Sequence, residues 1–294
     1  MQNDEHTAHL PSQRVIFKTM RFAFYAVVVL LLVGAAATAN ASSRTKPSRP
    51  FQLAAARASH KADPEHMAAL AAYHQTHGLP SSINWVAMGG VTPVSDQGSC
   101  GGGCVAYAVT ANVEGVNFAT NHKLVPLSAE EVVACAMTDG CCGGFPSDAI
   151  QWFLTHTNGK ICTAASMPYN SSDGIPGPCS TNCTTGAQVT KSINLPKSEL
   201  AIATSLVMNG PVTVAVDAST WEFYTGGVLA NCTYSQVDHT AVAVGYDDTH
   251  KPPYWLIKNS WGAAWGENGY IRIAKGSNQC GIKELATTVQ VKRH

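Results

Sequence analysis

Charge is scarce in this chain. Only 13% of its 294 residues are Asp, Glu, Lys or Arg, and 19 basic side chains balance 19 acidic ones. Binding along a phosphate backbone calls for a basic surface, so the composition argues against a nucleic-acid partner. Histidine, cysteine and aspartate do not recur at the spacing of a zinc cluster, and no metal or other cofactor is expected. The neutrality is uneven: the first 78 residues carry 8 basic and 4 acidic side chains and the remaining 216 carry 11 and 15. A basic leader thus precedes an acidic body.

What the chain does contain begins with an apolar run of about eighteen residues from Phe22 to Ala39, preceded by Arg14, Lys18 and Arg21. The run tapers to small residues and offers Ala-x-Ala sites at Ala37/Ala39 and Ala39/Ala41, the form of a cleaved secretory signal. Residues 1–41 are therefore read as a signal peptide or, if retained, a membrane anchor. Contact with a membrane is expected only in the second case. Both put the rest of the chain in the secretory pathway, where its ten cysteines would form disulfides. Of three glycosylation sequons, Asn170 is the one selected, because Asn182 and Asn231 have cysteine at the middle position.

Residues 42–78 read as a short leader or degenerate propeptide, with one helix starting at Asp63-Pro64 and ending at Gly78. From Leu79 the texture changes. Val105, Ala108, Val109, Val113 and Val116 recur at three- and four-residue spacing, which predicts a buried helix over 104–120. Ser128 with Glu131 forms a capping box, Ser147 is a candidate cap for a helix carrying Ile150, Phe153 and Leu154, and another helix is predicted from Glu199 to Met208. After Pro211 come short β-branched runs at 212–216, 240–246, 254–257, 270–274 and 285–291, separated by turn residues. Helices followed by closely spaced strands predict an α+β chain in which a helical domain faces a twisted antiparallel sheet or open barrel.

Cys104 follows Gly101-Gly102-Gly103 and opens the buried helix. Unpaired N–H groups and the positive end of the helix dipole should lower its pKa and make it a nucleophile. His239, at the start of a strand-like run, can take the proton, Asn259 can hold the imidazole, and Trp261 can shield that bond from water. On residue type alone, a cysteine in an exported chain is more often bridged and a histidine near a strand more often structural.

Six separated blocks in one order resolve this: VTPVSDQGSC leading to CVAY, the GCCGG turn, DGIPGPC, NGPVTVAVDAS with YTGGVL, VDHTAVAVGY, and PPYWLIKNSWGAAWGENGYIRI with GSNQC. The stretch 79–294 resembles the papain-like cysteine peptidases, most closely the cathepsin L-like enzymes of trypanosomatid protozoa. The resemblance implies a two-domain α+β fold, with a helical domain (about 87–188) packed against a twisted antiparallel barrel-like domain (about 189–294), crossing termini and the active-site cleft between them.

It further implies that Cys104 is the nucleophile, His239 the general base and then acid, Asn259 the orienting residue and Gln97 an oxyanion donor. Gly143 and Gly144 would pair with an extended substrate. Phe145, Pro146, Ala215, Val237 and Leu285 would line the second specificity pocket and, all being apolar, prefer a hydrophobic side chain. Disulfides are implied for Cys100–Cys141, Cys135–Cys179 and Cys232–Cys280, with Cys162–Cys183 the preferred extra pair and Cys142 left free near the cleft. The implied protein is a monomeric endopeptidase acting on peptide and protein substrates, open to protein inhibitors, and either secreted or held in a lysosome-like compartment.

Three departures stand out. Cys100 and Cys104 are separated by three glycines rather than two residues, the tryptophan usual after the nucleophile is Val105, and the leader shows no recognisable long inhibitory prodomain. Together with Cys142, they raise one alternative, a catalytically impaired homologue that binds peptides or proteins through the cleft. A ligase using the same acyl-enzyme is a further alternative, although no feature positions an amine or excludes water.

Overall fold

The computed structural model describes residues 60–294 except Thr233, all within the compact unit Thr45–His294. The apolar run, its cleavage sites and residues 42–59 of the leader lie outside the described residues.

Five α-helices are described: α1 (Pro64–His77), α2 (Gly103–Asn121), the three-residue α3 (Ala129–Glu131), α4 (Pro146–His156) and α5 (Glu199–Met208). The strands are β1 (Ser82–Asn84), β2 (Lys160–Cys162), β3 (Thr185–Asn194), β4 (Val212–Val216), β5 (Val228–Leu229), β6 (His239–Asp247), β7 (Tyr254–Lys258), β8 (Tyr270–Ala274) and β9 (Leu285–Val291). Helix starts follow side-chain chemistry in most cases. Asp63 accepts from the His66 N–H at 2.8 Å, Ser128 from Glu131 at 3.0 Å and Ser198 from Ala201 at 3.4 Å. Ser147 corrects the sequence reading: it lies inside α4, which begins with Pro146 at its first turn after Phe145 and has no side-chain cap.

The sheet also corrects it. The strands run β2-β3-β9-β4-β6-β7-β8-β5, with β1 added to the C-terminal part of β6, and the end strands β2 and β5 do not pair with each other. The sheet is open, not barrel-like. Closure needs two edges long enough to share a ladder at a consistent stagger. Here the end strands have three and two residues and sit at opposite ends of the path.

Two cores result. One joins α5 to the sheet through Ile202, Leu206, Val214, Val216, Trp221, Trp255 and Ile271. The other packs α2, α4 and the Val132–Ala136 turn through Val105, Val109, Val133, Ile150 and Phe153, and takes Val289 and Val291 from the end of β9. Between them, Ala108 and Ala111 of α2 meet Val242 and Val244 of β6. Gly115 permits this closeness, because a Cβ there would lie 2.3 Å from Pro211 Cγ. Asn112 locks the contact by donating to the Pro211 carbonyl at 2.6 Å.

Helix α1 docks on the sheet half. Leu70 is buried with Trp85 and Ile193, the Asp63 N–H donates to the Asn194 carbonyl at 3.1 Å, and Lys191 pairs with Asp63 at 3.0 Å and Glu65 at 3.1 Å. Disulfides join Cys100–Cys141, Cys135–Cys179, Cys162–Cys183 and Cys232–Cys280, while Cys104 and Cys142 are free. Cys142 is exposed, immediately before Gly143.

Candidate active site

The three-glycine turn is fixed by backbone bonds. The Gly102 N–H donates to the Cys141 carbonyl at 2.6 Å and the Gly103 N–H to the Cys100 carbonyl at 3.0 Å. The disulfide-bonded Cys100 and Cys141 thus hold the chain on both sides of Gly102. A Cβ at Gly102 would come 2.3 Å from the Gly140 carbonyl oxygen, so only glycine fits. Cys104 falls at the second position of α2, where a backbone N–H has no helical carbonyl one turn back.

Its sulfur donates to the Gly101 carbonyl at 3.3 Å, and the residue is 3% exposed. That burial overrides the expected effect of the helix end. The thiol is pushed up to about 11 by desolvation, against which the backbone N–H groups of Thr240 and Val105 and the Thr240 hydroxyl act in the opposite direction. Val105 itself is fully buried in the helical core.

From the sheet side, β6 supplies His239 and the end of β7 leads into Asn259. His239 Nε2 and Asn259 Oδ1 are 2.8 Å apart, and the same oxygen accepts from the Ser260 N–H at 2.8 Å. Burial pushes the imidazole down to about 4, with the Asn259 bond acting upward. Trp261 lies over this pair, its ring 4.9 Å from that of His239. Two tryptophans that the sequence reading did not select complete the enclosure: Trp221 is edge-on to His239 at 5.7 Å, and Trp265 lies 5.1 Å from Trp261. Their position in short aromatic, glycine-rich runs, WEFYTGG and WGAAWG, was the available signal.

Gln97 is buried beside the first turn of α2. Its Nε2 donates to the Cys100 carbonyl at 3.0 Å and its Oε1 accepts from the Ser260 hydroxyl at 2.8 Å. One amide hydrogen is therefore engaged within the turn that carries the extra glycine.

A second link missed in the sequence is a buried polar bridge. The Thr92 hydroxyl donates to Glu114 of α2 at 2.7 Å and accepts from Lys258 of β7 at 3.0 Å. It ties the helix of Cys104 to the residue before Asn259. Burial is the leading influence on both charged groups, raising the Glu114 pKa and lowering that of Lys258.

Ala215, Val237 and Leu285 form one apolar cluster with Phe145, and Tyr234, which the sequence reading had not chosen, packs against it. Pro146 is not part of the cluster and instead starts α4. Gly143 has a φ of 109° and open space where a side chain would be, and Gly144 follows it toward Phe145. Asn170 is exposed. Among the described residues, Glu131, Cys162 and Cys183 bring potential metal ligands together, but both sulfurs are consumed in a disulfide.

A thiol on a helix end and an imidazole bonded to a buried amide, across the junction of two cores, are the parts of nucleophilic acyl transfer. A family model described as papain family cysteine protease matches residues 79–290. The chain belongs to that family. It is 44% identical over 223 residues to cysteine proteinase A of Leishmania mexicana, covering 74% of this chain and 63% of that one. To the cysteine proteinase of Trypanosoma brucei brucei it is 43% identical over 218 residues, covering 74% and 48%. The match thus spans less than two thirds of either relative. Among solved structures, bromelain from Ananas comosus in complex with the E64 inhibitor superimposes with a TM-score of 0.67 and 34% identity, covering 73% of this chain and all of bromelain. Digestive procathepsin L 3 of Tenebrio molitor larval midgut gives 0.67 and 29%, covering 73% and 71%.

Proposed function

We propose that this papain-family protein is a cysteine endopeptidase that hydrolyses peptide bonds through a thioester. The observation that carries the reading is the His239–Asn259 bond of 2.8 Å, covered by the Trp261 ring, with His239 opening the strand whose next residue, Thr240, acts on the Cys104 sulfur. In the resting state burial favours an uncharged thiol and an uncharged imidazole. Bound substrate carbonyl and neighbouring donors make charge separation less costly. The Cys104 proton passes to His239 Nδ1 as sulfur bonds to the carbonyl carbon. Collapse of the tetrahedral species breaks the C–N bond, and the imidazolium gives that proton to the departing amine. Water then loses a proton to the imidazole and attacks the thioester, releasing the acid and restoring the thiol. The Asn259 oxygen keeps Nε2 as the N–H partner throughout, which leaves Nδ1 as the nitrogen that exchanges the proton. Gln97 and the Cys104 N–H serve as oxyanion donors.

The apolar cluster of Phe145, Ala215, Val237 and Leu285 supports a second specificity pocket that takes leucine, valine or phenylalanine and refuses arginine, since these side chains themselves offer no anion to offset guanidinium desolvation. Gly143 and Gly144 present backbone groups to an extended peptide. Four disulfides support folding in the secretory pathway, for a lysosome-like compartment or for secretion, with Asn170 carrying a glycan.

The test is cleavage of a Leu-containing dipeptidyl fluorogenic amide at pH near 5.5 with mild thiol, beside Cys104→Ala. Cleavage that vanishes in the variant supports the reading, and equal rates reject it. The deep burial of Cys104 favours a second reading, a peptide-binding homologue without turnover. Peptide binding with no Cys104-dependent cleavage would be its signature.

A further inference from the structure

Thr240 follows His239 on β6 and is fully buried, yet its hydroxyl has no hydrogen bond of regular geometry within the protein. A buried, unmet hydroxyl is uncommon and carries a free-energy cost that some state of the protein should relieve. The strand register limits where relief can come from. Thr240 pairs with Ala215 of β4, which pairs in turn with Leu285 of β9, so the three side chains share one face in a row. Neither neighbour in that row can accept a hydrogen bond. The Cys104 sulfur is a polar atom outside that row on which both the Thr240 backbone N–H and its hydroxyl act.

In the thiol state this sulfur is itself a donor, to the Gly101 carbonyl at 3.3 Å. Once the proton moves to His239 that bond is lost, and the sulfur becomes an acceptor with negative charge. The β-branched Thr240 side chain is stiff about χ1 and sits in a closed environment, so its hydroxyl can meet the new charge with little rearrangement.

We propose that Thr240 is a positioning residue whose hydroxyl donates a hydrogen bond to the ionised Cys104 sulfur and holds it for attack. This rests on Cys104 being the nucleophile. The step leaves atoms in place: the Cys104 proton goes to His239, and Thr240 keeps its own proton while sharing it with sulfur. The titratable groups whose charge is felt at the sulfur are Asp238, which opposes ionisation, and Tyr169, whose hydroxyl donates to the Gln97 carbonyl at 3.0 Å; His239, the residue before Thr240, receives the proton in the proposed mechanism.

The experiment compares the wild type, Thr240→Val and Thr240→Ser, each with Cys142→Ser so that one free thiol remains. It reads the rate of Cys104 alkylation by iodoacetamide from pH 4 to 10, localised by peptide mapping, together with kcat/KM on the Leu-containing amide. Removing a donor to the anion should move the acid limb of both profiles toward higher pH by about one unit, a roughly tenfold loss of rate on the acid side. Thr240→Ser should restore the wild-type limb. Superimposable wild-type and valine profiles would overturn the proposal, as would a serine variant that behaves like valine, since packing of the methyl group would then be the cause. Should the valine variant not fold, Thr240→Ala takes its place under the same criteria. A wild type that alkylates with the shifted limb but cleaves nothing would reject the peptidase reading while sustaining the role of Thr240. Cleavage unaffected by Cys104→Ala would overturn both.

Discussion

Replacing Glu131 by glutamine should change how the stability of this protein depends on pH. Glu131 is 1% exposed and its Oε2 accepts the Cys162 N–H at 2.6 Å. Burial pushes its carboxyl up from 4.5 to about 7. The folded chain therefore holds this proton more firmly than the unfolded one. The resulting stability is fully present below about pH 4.5 and is lost as pH rises through about 7, a difference of about 3 kcal/mol. His239 works in the opposite sense. Its imidazole is pushed down from 6.5 to about 4, so its contribution is complete above about pH 6.5 and lost as pH falls toward about 4. The two slopes oppose each other between these limits, and a single stability curve would hide both. Glutamine keeps an oxygen acceptor for Cys162 and removes the titration. The assay is urea unfolding of the wild type and Glu131→Gln at pH 4.5, 5.5, 6.5 and 7.5, analysed as a difference. The wild type should lose about 3 kcal/mol relative to the variant across that range. A difference that stays constant with pH would refute the reasoning.

Asn259→Ala removes the acceptor of the His239 ring at 2.8 Å and should lower kcat by roughly 10- to 100-fold, the worth of a hydrogen bond to a charged group, as steady-state kinetics would show. Leu285→Glu places an anion in the apolar cluster and should raise the Arg-to-Leu ratio of kcat/KM at least about tenfold on matched peptides, with an unchanged ratio counting against the pocket assignment. Gly102→Ala forces a Cβ toward the Gly140 carbonyl and should cost about 1–3 kcal/mol, read as a lower urea midpoint.

Much of the β half is legible in the sequence because its strands are short β-branched runs with clear turns. The runs at 212–216, 270–274 and 285–291 coincide with β4, β8 and β9. Strand β3 escapes the same reasoning, because TGAQVTKSIN buries mainly Ala187, Val189 and Ile193 and offers too weak an alternation. An open sheet could not be told from a barrel-like one, since closure depends on whether two distant edges meet and not on any one strand. The helix at Cys104 was readable from its apolar spacing, whereas the thiol's net direction was not. Helix-end stabilisation can be inferred from position, but the opposing desolvation appears only once Cys104 is enclosed. Thr240 and the Glu114–Thr92–Lys258 bridge were invisible for a related reason: each draws its meaning from a partner far away in the chain.

The most direct test of the account uses an epoxide thiol inhibitor and the intact mass of the protein, followed by peptide mapping. The account predicts one covalent adduct, on Cys104 and not on the exposed Cys142, formed in step with loss of amide cleavage and abolished by His239→Ala. Complete loss of activity with the adduct on Cys142 alone, or full cleavage by protein quantitatively modified at Cys104, would contradict it.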